Sequence, residues 1–170
     1  MKNIVKVALV SLSFLLAGSF AKAQTKIGYL NFDVLVGQLP EAKTVKSQID
    51  IYQKQFIDQL TVMNTELQAK GQDFQKNGAA MTDAVRTAKQ TELQDINKRM
   101  TDYQNNAQQQ VEAKSNELIK PLTDKVKAAV NQVAKEKGYN YVFNTAQVQF
   151  IVAPDTDDLT DAVKAKLGLK

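Results

Sequence analysis

The chain has 170 residues, enough for one domain, of which 44% are hydrophobic and 24% charged. It contains no histidine and no cysteine, which removes the usual general base near neutral pH, the thiol nucleophiles, the common transition-metal ligands and disulfide staples. The formal charge of +4 rests largely on Lys2, Lys6 and Lys22, without which 19 basic residues face 18 acidic ones, so charge gives no support to nucleic-acid binding.

Residues 1–23 read as a secretory signal peptide. Lys2 and Lys6 make a basic start, Val7 to Leu16 is apolar apart from two serines, and Ala21-Lys22-Ala23 is an A-x-A cleavage signature. The apolar run is too short and too early for a spanning helix, so no stable transmembrane anchor is predicted. The mature chain would start at Gln24, on the far side of the inner membrane.

Thr25 to Phe32 follows as a short strand with Ile27, Tyr29 and Leu30 as its apolar content. Val34, Leu35 and Leu39 continue an apolar stretch that Gly37 makes flexible. Pro40 suits a first helical turn, where its missing N–H has no partner to lose, and Glu41 complements the positive end of the helix dipole. From there Val45, Ile49, Tyr52, Phe56, Leu60, Met63, Leu67 and Phe74 recur at steps of three and four, apart from one longer gap at the end. That is one stripe of a helix. A helix from Pro40 to roughly Lys76 is about 54 Å long at about 1.5 Å per residue, longer than a small domain is wide.

Asn77-Gly78 interrupts the stripe and is expected to supply left-handed backbone at the helix end. Thr82-Asp83 reads as a cap and first-turn acid. A return helix carries Met81, Val85, Ala88, Leu93, Ile96, Met100, Tyr103, Ala107, Val111 and Leu118 as its stripe. Pro121 is predicted to kink or break it, and so to act as a hinge. Leu122, Val126, Ala129, Val130 and Val133 then form a second apolar face, ending at Lys137-Gly138.

After Gly138 the period changes. Tyr139, Tyr141 and Phe143 alternate with polar residues, and Val148, Phe150 and Val152 do so again. The two runs predict a β-hairpin. Asp155, Asp157, Asp158 and Asp161 open a last helix over Leu159 to Leu167, and capping explains them better than a cation site. Three short strands and one small helix bury little apolar surface alone. Several copies that join their strands solve that problem. The fold class expected is therefore mainly α with a small β part. Helical-hairpin arms, residues 40–121, project from a small β-barrel body assembled by oligomerisation from residues 24–39 and 122–170. Ile27, Tyr29, Leu30, Tyr141, Phe143, Val148, Phe150 and Val152 are the candidate oligomer and body core.

The stretches KIGYLNFDVL, LPEAK, KQTELQDINKRMTDYQNNAQQQ, LIKPLTDKVKAAVNQVAKEKGYNYVFN and DLTDAVKAKLG, in that order, resemble the Skp (OmpH) family of periplasmic chaperones for outer-membrane proteins. The resemblance covers essentially the whole mature chain. It implies a homotrimer whose strands build a small barrel and whose hairpins enclose a cavity. Unfolded outer-membrane proteins are held in that cavity without ATP. In keeping with this, neither G-x-x-x-x-G-K-[ST] nor G-x-G-x-x-G occurs. No cofactor and no catalytic residue is predicted. The chain departs from the basic arms of that family: residues 54–114 hold eight basic and eight acidic residues and are rich in amides, as in Gln104 to Gln110. A lipopolysaccharide site is therefore not carried over. Phe56, Met63, Phe74, Met81, Met100 and Tyr103 are the candidate client contacts on the arms. The same residues at helical spacing also suit the seam between the two helices. A structural coiled-coil scaffold of the envelope is the alternative function.

Overall fold

The computed structural model of the chain describes residues 25–169; the predicted signal peptide and the start at Gln24 lie outside them. Strand β1 is Ile27–Leu30. Asn31 then caps helix α1, Phe32–Gln38, its Oδ1 accepting from the Val34 N–H at 3.1 Å. The apolar stretch made flexible by Gly37 is thus helical, because a side-chain cap and Leu35, fully buried, outweigh one glycine. Leu39 and Pro40 start helix α2, Pro40–Asn77, with the proline in the first turn as expected. Helix α3 runs from Asp83 to Lys137, capped by Thr82. Strand β2 is Tyr141–Asn144, and helix α4, Thr160–Leu167, follows a 3₁₀ turn at Asp155–Asp157.

Two sequence expectations about turns need correction. Gly78 has φ −57° and is right-handed, and a 3₁₀ turn over Gly78–Ala80 makes the tip. Arg86 ties that turn down: Nε donates to the Gly78 carbonyl and Nη2 to the Met81 carbonyl, both at 3.2 Å. The left-handed glycines are Gly138 and Gly168, each with φ 72°, at the ends of α3 and α4. Of the kink or break expected at Pro121, the break does not occur. α3 is continuous through it, and Leu122 and Val126 immediately beyond are buried in the core, which anchors the helix past the proline.

The predicted hairpin is also corrected. Only its first run is a strand, and β2 pairs with β1 in parallel, with Ile27 opposite Tyr141 and Tyr29 opposite Phe143. A parallel pair needs a long crossover, and the whole helical hairpin supplies it. Val148, Phe150 and Val152 are outside any strand. Asn144 explains why. Its carbonyl accepts from the N–H groups of Gln147 and Val148, and its Oδ1 accepts from those of Phe32 and Ala146, so the chain coils at the end of β2.

One face of the β1–β2 pair packs inward. Leu30 joins Leu35, Leu39, Leu122, Val126, Val133, Tyr139, Leu159 and Val163 in the core. A methyl at Gly28 would lie 2.9 Å from Leu159 Cδ1 and 3.0 Å from Tyr139 Cδ1, so glycine lets these two side chains pack close against the strand. The core thus draws on the last third of α3 as well as on the strands. The aspartates expected to cap the last helix do so in part. Asp158 Oδ1 accepts from the Thr160 N–H at 2.8 Å, while Asp157 accepts from the Tyr139 hydroxyl at 3.0 Å.

Candidate functional site

The arm is α2 laid along α3, and three pairings hold it. At the root, Lys125 and Glu41 meet at 2.6 Å. Midway, the Phe56 ring lies 6.0 Å from Tyr103 and 5.2 Å from Tyr52, whose hydroxyl donates to Gln110 Oε1 at 3.4 Å. Further out, Glu92 receives hydrogen bonds from Lys70 and Lys89. The seam between these pairings is thin. α2 has no buried residue in its length, and on α3 outside the body core only Ile96 and Ala107 are buried.

The six predicted arm residues sit on this seam or its edge. Phe56, Met63, Phe74, Met81, Met100 and Tyr103 are all half-buried. The apolar side chains that face water are different ones: Ile51 and Val62 at 60% exposure, Ile57 at 52% and Val85 at 45%. Ile51, Ile57 and Val62 stand off the stripe of α2, and that departure is the sequence signal for them. Ile51 and Val62 lie about three turns apart on one side, and Ile57 lies on the other.

The outward face of the sheet is a second apolar surface. Ile27, Tyr141, Phe143 and Val148 are exposed, and Tyr29 is half-buried. The Phe150 ring lies across Tyr29 and Phe143 at 5.5 and 6.0 Å. Val152 beside it is 86% exposed and Ile151 97%. Of the eight predicted body residues, Leu30 alone belongs to the core of the single chain. Among the described residues no acidic group of three holds the geometry of a metal site, and no helix is long and apolar enough to cross a membrane.

The outer pairing carries a pH prediction. Hydrogen bonds from Lys70 and then Lys89 hold the Glu92 carboxyl below its usual 4.5, and Glu92 holds the Lys70 ammonium above its usual 10.5. The contribution from Glu92 is therefore complete above pH 4.5 and is lost as pH falls through the lower folded value; the contribution from Lys70 is lost only on the alkaline side. Amide-exchange protection of residues 66–99 should hold down to pH 4.5 and fall as the pH drops below it. Glu92→Gln should show the low protection already at the higher pH. A variant as protected as the parent would mean the bridge does not fasten the outer arm.

Comparison with known proteins agrees with this architecture. The chaperone protein Skp of Yersinia enterocolitica is 29% identical over 159 residues, covering 91% of this chain and 93% of that one. Outer membrane protein 26 of Haemophilus influenzae is 25% identical, with 96% and 93% covered. An OmpH-like outer-membrane chaperone structure from Caulobacter crescentus matches at TM-score 0.64 over 88% of each chain; at 19% identity it shows the fold alone. The sequence model of the OmpH-like outer membrane protein family matches residues 26–167. The chain belongs to that OmpH-like family.

Proposed function

We propose that the chain is a periplasmic, ATP-independent holdase chaperone. It binds unfolded outer-membrane β-barrel proteins in a cavity between the arms of a homotrimer and prevents their aggregation. Residues 24–39 and 122–170 form the body and residues 40–121 the arm. The observation that carries this reading is the thinness of the arm, with no buried residue in the 38 residues of α2. A helix pair that buries so little is free to open and close on a client. The relatives named Skp chaperones support the same reading. A scaffold would instead use its seam fully in fixed contacts.

The body reading rests on the outward sheet face. Apolar groups that one chain leaves in water, beside a free β2 edge, favour pairing between copies. The clients expose alternating apolar and polar residues, and many weak contacts hold them reversibly. The experiment is a light-scattering mass of the mature protein, alone and mixed with an outer-membrane barrel diluted from urea. A three-chain mass that gains one soluble client is expected. A stable oligomer that lets the client precipitate would favour the scaffold, and uniformly slow amide exchange out to the tip would do so too.

Pro121 is proposed as a hinge that sets arm splay. Pro121→Ala should stabilise α3 by about 1–3 kcal/mol, read as a raised melting temperature. Client affinity should change while oligomer mass does not. Unchanged affinity would remove the hinge role.

A further inference from the structure

The tip of the arm holds an asparagine–glycine pair that the fold does not require. Gly78 is right-handed, with φ −57°, a conformation that any L-residue adopts. Beyond the local backbone, a methyl added to it would meet nothing nearer than the Phe74 ring at 3.9 Å. Neither backbone freedom nor a close approach therefore explains the glycine. Asn77 is also the one asparagine of the chain that glycine follows. What glycine supplies here is chemical: with no side chain, it leaves its own N–H unhindered beside the Asn77 side-chain amide.

That pair permits a self-reaction. The Gly78 nitrogen gives its proton to hydroxide and attacks Asn77 Cγ. The new N–Cγ bond closes a cyclic imide, and the Cγ–Nδ2 bond breaks to release ammonia. Water then opens the ring at either carbonyl, leaving aspartate or isoaspartate. The net change is water taken up and ammonia lost. In the closed tip both reacting groups are occupied. The Gly78 N–H donates to the Phe74 carbonyl, and Asn77 Nδ2 donates to Asp73 Oδ1 at 2.7 Å. Arg86 fixes the same turn through the Gly78 and Met81 carbonyls. A nitrogen held in a helix bond is not free to attack, so the reaction waits for the tip to open.

We propose that Asn77 is a modification site, converted by water to aspartate or isoaspartate, gated by the tip contacts and loosening the tip once converted. The product does not fit the closed arrangement. A carboxylate has no proton to donate to Asp73, and it stands one turn from that like charge. It also lies at the end of α2, where the helix dipole is negative. Isoaspartate in addition lengthens the backbone of the last turn. None of this depends on the holdase reading.

The test is incubation of the full mature protein at mildly alkaline pH, with conversion at Asn77 followed by peptide mass spectrometry. A capped peptide of residues 74–81 is the open reference. The parent should convert at least about tenfold more slowly than the peptide. Arg86→Met removes the hold on the turn and Asp73→Ala the hold on the amide. Each should speed conversion by about threefold to tenfold. Gly78→Ala keeps the right-handed backbone but crowds the attacking nitrogen, and should slow conversion at least about tenfold in protein and peptide alike. Converted chains, separated by their extra negative charge, should exchange the amides of residues 72–86 at least about threefold faster than unconverted ones. A parent that converts as fast as the peptide, or loosened variants no faster than the parent, would overturn the gate. Conversion absent from the parent and from both loosened variants would overturn the site. Conversion indifferent to Gly78→Ala would overturn the imide route, and equal exchange of the two forms would overturn the loosening.

Discussion

Phe143→Asp should give a folded monomer. Phe143 lies on the outward sheet face, 38% exposed, opposite Tyr29 and 6.0 Å from the Phe150 ring. Within one chain the change costs about 1 kcal/mol, the value of an aromatic pair, because the new carboxylate still reaches water. In the proposed assembly the same face is covered. An uncompensated charge there costs several kcal/mol per interface, and a three-fold assembly repeats that cost. Light scattering should therefore report a single-chain mass with helical circular dichroism retained. Leu30→Asp is the contrasting variant. Leu30 is 2% exposed on the inward face, so a carboxylate there should cost about 3–5 kcal/mol and unfold the body itself. If Phe143→Asp kept the oligomer, the sheet face would not be the assembly surface. If it unfolded like Leu30→Asp, the face would belong to the core of the single chain.

Those two residues also mark what the sequence discloses and what it withholds. Alternation over Tyr139–Phe143 and around Tyr29 identifies strands, because the side-chain period of a strand is local. It does not say which strand pairs with which. Adjacency suggested a hairpin to Val148–Val152, yet the partner of β2 is β1, more than 100 residues earlier, and the Asn144 turn bonds prevent the local alternative. Helix ends behaved similarly. Pro40, Thr82 and Gly138 act through local backbone chemistry, so they were legible. The tip was not, since Arg86, eight residues away, holds the Gly78 carbonyl. On the arms, the stripe encodes helix-against-helix packing. It therefore points to half-buried residues such as Phe56 and Tyr103, whereas Ile51, Ile57 and Val62 become visible only as exceptions to it.

That distinction gives the last prediction, which separates seam from client contact on the arm. Ile51→Thr, Ile57→Thr and Val62→Thr together keep β-branching and remove exposed apolar surface. All three side chains are more than half exposed, so arm exchange and melting should stay within about 0.5 kcal/mol of the parent. Each lost methyl or methylene group removes up to about 0.8 kcal/mol of burial wherever a client covers it. Over three positions, partly covered, that is about 1–2 kcal/mol. The concentration needed to keep an outer-membrane barrel soluble should rise about tenfold. Phe56→Ala should do the reverse. It removes a half-buried ring with two aromatic neighbours, so protection from Phe56 outward should drop by about 2 kcal/mol. Any loss of client holding should follow that loosening. If Phe56→Ala impaired holding with exchange unchanged, the ring would be a client contact after all. If the triple variant held clients as well as the parent, the exposed β-branched residues would not be part of the binding surface.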